Sequence, residues 1–264
     1  MSLKVYHGLS QWKPLERSII TVGSFDGVHK AHKSIIALLS QQAENCLGET
    51  VLVSFEPHPR MVLEKVQGDK YAENFKLLST LDEKLYLLDK AGLQHIVLLP
   101  FDKEFAQMSS TQFIKDILVD TLHVYKIIMG YNHFFGHDRK GNFDLMIEKG
   151  VEYGFYAERF PELMVKNEHL SSSQIRRCIQ DGNLVEANEL LGYEYFVHGY
   201  IETGGLRVVD EHKLLPKEGR YLVKAKIDLI HHVSVGEVQD RFIALPDLQL
   251  ETGSFIKLSF CRSI

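Results

Sequence analysis

The stretch Ile19-Ile20-Thr21-Val22-Gly23-Ser24-Phe25-Asp26-Gly27-Val28-His29-Lys30-Ala31-His32 decides how this chain is read. Ile19–Val22 is an apolar run without polar alternation, as in a parallel strand buried on both faces. From His32 to Cys46 the spacing puts Ile35, Leu38, Leu39 and Ala43 on one side of a helix. A buried strand therefore passes through a glycine-bearing turn straight into a helix. Gly23 and Gly27 let the backbone turn sharply and come close to a ligand. His29 and His32, three apart at the helix start, project on one side towards the strand ends. A helix N-terminus favours phosphate, and two imidazoles add hydrogen bonds to oxygens gaining charge. The plainer reading makes both histidines ordinary polar residues of a helix cap. The adjoining strand, the glycines and Asp26 weigh against it. No Walker P-loop pattern (GxxxxGK[ST]) occurs in the chain, so any ATP must be held by other means.

Outward from this stretch the rhythm continues. Thr50–Phe55, His95–Leu99 and Lys126–Met129 repeat the buried-strand pattern. Helical patterns lie between them, at Leu81–Ala91 behind Thr80 and Glu83, and from Ser110 to about Leu122 behind Ser109 and Gln112. Both starts have capping-box spacing. Strand–helix–strand repetition predicts an α/β fold, a doubly wound parallel sheet, with ligands beyond the carboxyl ends of its strands. The loops after Val22, Phe55 and Met129 are therefore the ones to search. From about Tyr195 the period changes to two. Tyr221, Val223, Ala225, Ile227 and Leu229 alternate with more polar neighbours, as do Ile256, Leu258 and Phe260, and Phe196–Thr203 is a further candidate strand. This predicts a small antiparallel β unit over residues 193–264, with a boundary at Gly192–Tyr193 after an α/β domain over residues 1–192. A unit of about 70 residues is small for an independent core, so it is expected to lean on the first domain.

Composition narrows the function classes. The 264 residues are 45% hydrophobic, enough for a core, and carry a formal charge of −5. No basic stripe offers itself to a phosphodiester backbone, which argues against nucleic acid. Cys46, Cys178 and Cys261 are scattered and odd in number, so neither a disulfide framework nor a zinc site is expected, and a reducing, cytoplasmic setting fits. No apolar run approaches the roughly 20 residues that span a bilayer, and the first residues contain no export segment. His231 and His232 are strand neighbours facing opposite ways and read as surface residues, so no metal site is assigned.

Four segments carry a resemblance. GSFDGVHKAH (residues 23–32) resembles the first motif of the prokaryotic FAD synthetases, members of the nucleotidylyltransferase superfamily, whose HxGH signature binds nucleotide phosphates. Here Ala31 stands where the family usually has glycine. Ser54-Phe55-Glu56-Pro57-His58-Pro59 is similar to the family's FxPHP segment. Gly130-Tyr131-Asn132-His133-Phe134-Phe135-Gly136 is similar to its G-x-[DN]-F-x-F-G segment, with His133 in place of the usual aromatic. Leu170-Ser171-Ser172-Ser173-Gln174-Ile175-Arg176 resembles its ISSTxIR motif. The match runs over about three quarters of the chain, in the family's order. Without the family, Phe134-Phe135 would read as core packing and the three serines as a helix N-cap, which still suits one of them.

The resemblance implies transfer of AMP from ATP to FMN, giving FAD and pyrophosphate, with Mg2+ accompanying ATP. It implies nucleotide contacts from Gly23, Phe25, Asp26 and Gly27, charge stabilisation by His29 and His32, and phosphate binding by Ser172, Ser173 and Arg176. It places FMN against Phe55, Pro57, His58, Pro59, Asn132 and Phe135. In most members a riboflavin-kinase barrel follows, opening with a segment like GRxLGFPTAN. The corresponding Tyr200–Val209 has no Pro-Thr-x-Asn, although Leu214-Leu215-Pro216 and Gly219-Arg220-Tyr221 resemble the barrel's next strand. The expectation is a barrel remnant that kept its strands and lost its kinase site, ending at Ile264 short of the family's terminal helix. Two other readings stay open at this point: a bifunctional kinase and adenylyltransferase, and a flavin- or nucleotide-binding paralogue without catalysis.

Overall fold

A computed structural model describes residues 2–67, 75–131, 134–161, 164–165, 168–227, 230–248 and 251–264. The chain forms two compact units. One comprises Met1–Phe25, Ala31–Phe75 and Glu83–Leu163. The other comprises Asp26–Lys30, Lys76–Asp82 and Met164–Ile264.

The first unit is built on a parallel sheet of six strands: β1 (Lys4–His7), β2 (Ser18–Val22), β3 (Glu49–Glu56), β4 (His95–Pro100), β5 (Val124–Met129) and β6 (Tyr156–Arg159). The strand order is β1-β4-β3-β2-β5-β6, so the chain reverses direction across the sheet between β2 and β5. Loops leaving the carboxyl ends of two such strands diverge, which opens the crevice where doubly wound sheets bind ligands. The helices are α1 (Lys30–Cys46), α2 (Pro59–Gln67), α3 (Leu81–Lys90), α4 (Ser110–Gln112) and α5 (Phe143–Tyr153). Ile20, Val51, Val53, Val97, Leu99 and Ile127 share one core with Phe113, Ile114, Ile117 and Leu118. Ile19, Leu52, Ile96 and Ile128 are equally inaccessible. Burial on both faces is why these strands read as continuous apolar runs.

The start expected at Ser109 is present as a full capping box, with Gln112 N donating to Ser109 Oγ at 3.2 Å and Ser109 N donating to Gln112 Oε1 at 3.1 Å. Beyond it the helix widens into a π-helical segment, Phe113–Val119, instead of continuing as an α-helix.

In the second unit, strands β7 (Met164–Val165) and β8 (Glu168–His169) pair before α6 (Ser172–Gln180) and α7 (Leu184–Leu191). Six antiparallel strands then close a barrel: β9 (Phe196–Glu202), β10 (Gly205–Val208), β11 (Gly219–Ile227), β12 (Ile230–Gln239), β13 (Phe242–Ala244) and β14 (Phe255–Ser263). Closure removes the exposed edges that a sheet this small would otherwise present. The barrel interior, including Val197, Leu206, Val223, Ala225, Leu258 and Phe260, forms one core with Ile175 and Ile179 of α6 and with Leu184, Ala187, Leu190 and Leu191 of α7. The closed barrel thus shares a core with two helices. Gly192 ends α7 in the left-handed region, φ 73°, where a side chain is strained.

Close approach inside the barrel constrains Gly205. A Cβ there would lie 2.2 Å from Ile243 O and 2.9 Å from Ala244 Cα. Gly205→Ala is expected to destabilise the second unit by about 1–3 kcal/mol, the usual cost of overpacking, read as a lower denaturant midpoint for a probe in the barrel.

Candidate functional site

The first motif leaves β2 at Val22, and Gly23 N still donates to Val53 O at 3.0 Å, prolonging the sheet pairing by one residue. The backbone then takes positive φ at Phe25 (49°), Gly27 (80°) and Val28 (36°) before α1 begins. Two non-glycine residues in that region within four positions mark a strained loop, of the kind concentrated at functional sites. In the first unit, Phe25 is buried and its ring stacks on the His32 imidazole, with centroids 4.3 Å apart and planes inclined by 20°. In the second unit, Gly27 lies so close to Leu78 that a Cβ would meet Leu78 Cδ1 at 2.9 Å. His29 is buried at 4% exposure.

Asp26 is the hub of the second unit's polar interior. Its Oδ1 accepts from Ser79 N at 2.9 Å and Ser79 Oγ at 3.1 Å, and its Oδ2 accepts from Leu78 N at 3.0 Å and Arg176 Nη2 at 2.5 Å. Asp26 and Arg176 are both nearly inaccessible, so the ion pair is a buried one. Arg176 Nε also donates to Lys76 O at 2.9 Å. Ser172 Oγ donates to Asp26 O at 3.1 Å, and Tyr193 OH donates to Gly27 O at 2.6 Å. The first and fourth motifs, about 150 residues apart in the chain, are therefore fastened to each other by one charge-assisted bond, from Arg176, and one neutral bond, from Ser172. Asp26, expected to contact nucleotide, spends its carboxylate on this fastening. Arg176, expected to meet phosphate, is oriented by it.

The three serines divide their work. Ser171 is the N-cap of α6, accepting from Gln174 N at 3.2 Å. Ser172 ties the helix start to the first motif, and Ser173 is exposed in the first turn. Cys178 lies further along α6. Burial, then Glu186 and Asp181, push its thiol pKa above the ordinary range.

The other two motifs lie in the first unit. Phe55, at the end of β3, packs against Phe101 (centroids 5.5 Å apart) and Phe105 (5.8 Å). Phe105 continues to Phe113 and Phe113 to Phe135, at 6.3 and 5.5 Å, so an aromatic row joins the second motif to the third. Phe135 is half-buried and bonded to Gly141 through both its backbone groups, whereas Phe134 is 61% exposed. Core packing therefore describes Phe135 and not Phe134. Past Pro57, His58 Nδ1 accepts from Arg60 N at 3.2 Å, and its ring lies 4.8 Å from that of Phe75. Pro59 opens α2, the favoured helix position for proline. Asn132 and His133 lie outside the described residues. His232 stands on β12 beside Ala225, and among the described residues no group of three or more His, Cys, Asp or Glu is placed to hold a metal ion.

Ser79, Leu78, Lys76 and Tyr193 carry no signal of this role in the sequence, because their part is played through backbone groups and single long-range bonds, which no local spacing announces.

A family model described as FAD synthetase matches residues 12–174, more than half of the chain. The chain belongs to the FAD synthetase family. Among its FAD synthetase-family relatives, the bifunctional riboflavin kinase/FMN adenylyltransferase of Escherichia coli K12 is 33% identical over 198 residues, 75% of this chain and 61% of that protein. The chain thus spans about three fifths of the length of that relative. A protein of Listeria monocytogenes named FAD synthetase is 30% identical over 210 residues, 79% of this chain and 82% of its own. The fold is shared with a solved structure described as a macrolide-efflux protein from Streptococcus pneumoniae. The TM-score is 0.86, with 22% identity, over all of this chain and 91% of the other. At that identity the likeness speaks for the fold alone. Among the described residues, no helix of this FAD synthetase-family chain is long and apolar enough to cross a membrane.

Proposed function

We propose that this chain is an FMN adenylyltransferase that joins AMP from ATP to FMN, giving FAD and pyrophosphate. The observation that carries the reading is the bonding of Ser172 and Arg176 to the Asp26–Gly27 turn, which unites two phosphate-binding motifs in one unit.

An FMN phosphate oxygen attacks the α-phosphorus of ATP. The new P–O bond forms as the bond to the bridging oxygen of the β-phosphate breaks, and pyrophosphate leaves with that electron pair. The attacking phosphate is already anionic at neutral pH, so no general base is required. Catalysis is positioning together with electrostatic stabilisation. His29 and His32 stabilise charge growing on the α-phosphate. The turn formed by Gly23, Phe25, Asp26 and Gly27 receives the nucleotide. Ser172, Ser173 and Arg176 bind the departing phosphates, with Arg176 aimed by Asp26 and the Lys76 carbonyl. Phe55, Pro57, His58, Pro59, Asn132 and Phe135 hold the flavin, and the aromatic row behind Phe55 stiffens that wall. Mg2+ would accompany ATP, held through the substrate's phosphates rather than by a protein cage, and would offset their charge while keeping part of its water shell.

By function the chain divides into an adenylyltransferase domain (1–192) and a kinase-derived barrel (193–264). The missing Pro-Thr-x-Asn supports loss of kinase activity. The formal charge of −5 supports small-molecule rather than nucleic-acid substrates, and the scattered cysteines support a cytoplasmic setting. One observation favours a second reading: the six-stranded barrel is closed. Pyrophosphate release from ATP and Mg2+ separates the two, with FMN or riboflavin supplied in turn. Release with FMN alone is expected. FMN formed from riboflavin would restore the bifunctional reading, and silence with both would leave a non-catalytic binding protein.

A further inference from the structure

The second unit contains a buried lysine that the mechanism above does not use. Lys213, in the connection between β10 and β11, is 2% exposed. Its Nζ donates to Leu78 O at 2.6 Å and lies 4.4 Å from the centroid of the Tyr195 ring and 5.5 Å from that of Phe196. A buried ammonium is costly to maintain unless its bonds are good, so its bond to the Leu78 carbonyl needs a reason.

The reason lies in what Leu78 does. The segment Lys76–Ser79 is stitched to this connection along its length: Leu77 N donates to His212 O at 2.7 Å, Leu214 N to Leu77 O at 2.8 Å, and Lys76 Nζ to Glu211 O at 2.9 Å. Leu77 and Lys213 form a parallel bridge. The far side of the same segment presents Leu78 N, Ser79 N and Ser79 Oγ to the Asp26 carboxylate, and Ser79 Oγ also accepts from Gly27 N at 2.9 Å. The connection itself is held by the barrel. Arg241, between β12 and β13, donates to Lys213 O and Asp210 O, and Tyr195 OH donates to Leu214 O at 2.8 Å. An unbroken series of bonds therefore runs from the barrel through residues 210–214 to residues 76–79, and on to Asp26, Gly27 and Arg176.

We propose that the barrel serves the nucleotide site as a brace, with Lys213 as the positioning residue that holds Leu78 and Ser79 where they fix the Asp26 turn and Arg176. The substrate whose binding it governs is the nucleoside triphosphate, not the flavin. The inference rests on the adenylyltransferase reading for which site is braced, but its test does not need turnover.

The test compares the full chain with Lys213→Met, which keeps the buried stem and removes the ammonium, and Lys213→Arg, which restores a donor. Amide hydrogen exchange is followed at Gly27, Leu78 and Ser79, and Mg-ATP and FMN are titrated separately. Lys213→Met is expected to speed exchange at these three amides about tenfold or more, while interior barrel amides keep their protection. It should weaken Mg-ATP about tenfold and change FMN affinity less than about twofold, with Lys213→Arg recovering part of the loss. Unchanged exchange in a folded Lys213→Met protein would overturn the brace. Equal weakening of Mg-ATP and FMN would overturn its nucleotide role. Should Lys213→Met fail to fold, Lys76→Met loosens the same junction from a half-buried position. Faster exchange at Leu77–Ser79 is expected there, and no change would refute the proposal. A chain that binds Mg-ATP but makes no FAD would refute the function proposed above and leave the brace standing.

Discussion

Replacing both His29 and His32 by alanine should lower turnover by about 10³-fold or more while leaving FMN affinity within about twofold, since in the proposed mechanism each removes a group that acts on charge developing only in the transition state. The structure sharpens this expectation. The two imidazoles stand at the entry to α1, three residues apart, one buried in the second unit and the other stacked on Phe25 in the first. His32→Ala also removes the ring on which Phe25 packs, so its single variant should shift the thermal midpoint as well as the rate. Single-turnover rates at saturating ATP and FMN, with FMN affinity from fluorescence quenching, make the separation. An unchanged rate in the double variant would remove the histidines from the chemistry.

The second large effect is on stability. Asp26→Ala should destabilise the second unit by about 3–5 kcal/mol, because it leaves the Arg176 guanidinium buried without its counter-charge. The Leu78 and Ser79 amides lose their acceptor in the same step, which adds to the cost. Most of that penalty belongs to the stranded charge, so adding Arg176→Met to Asp26→Ala should recover a large part of it. Equilibrium denaturation of the four proteins of this cycle gives the coupling directly. Additive losses would mean that the pair contributes little to the joining of the two motifs.

What could be read from the chain follows its burial. β2, β3, β4 and β5 were visible as apolar runs because the central strands of a parallel sheet are covered on both sides. β1 and β6 lie at the two edges, and Lys4-Val5-Tyr6-His7 and Tyr156-Ala157-Glu158-Arg159 are half-exposed mixtures that resemble loop sequence. α5 has conventional signals at both ends: Asn142 caps it, with Leu145 N donating to Asn142 Oδ1, and Gly154 stops it at φ 81°. The widening of the helix at Phe113 had no signal, since apolar residues at that spacing suit α and π turns alike.

The candidate site is legible in the sequence motif by motif. Its wiring is not. Ser171 as the cap and Ser172 as the tether cannot be told apart in a run of three serines. That Asp26 faces Arg176 depends on the fold bringing a turn and a helix together across the chain. Lys213 reads as an ordinary lysine in a polar connection, and only the closing of the barrel places it under Tyr195 and against Leu78.

The most direct measurement follows the phosphorus atoms. The chain is incubated with FMN and Mg2+ and with ATP labelled either at the α- or at the γ-phosphorus, and the flavins are separated by chromatography. The α-label is expected in FAD, in step with consumption of FMN, and the γ-label only in pyrophosphate. Label entering flavin from the γ-position, or ATP left intact beside FMN in an otherwise folded protein, would contradict AMP transfer to FMN.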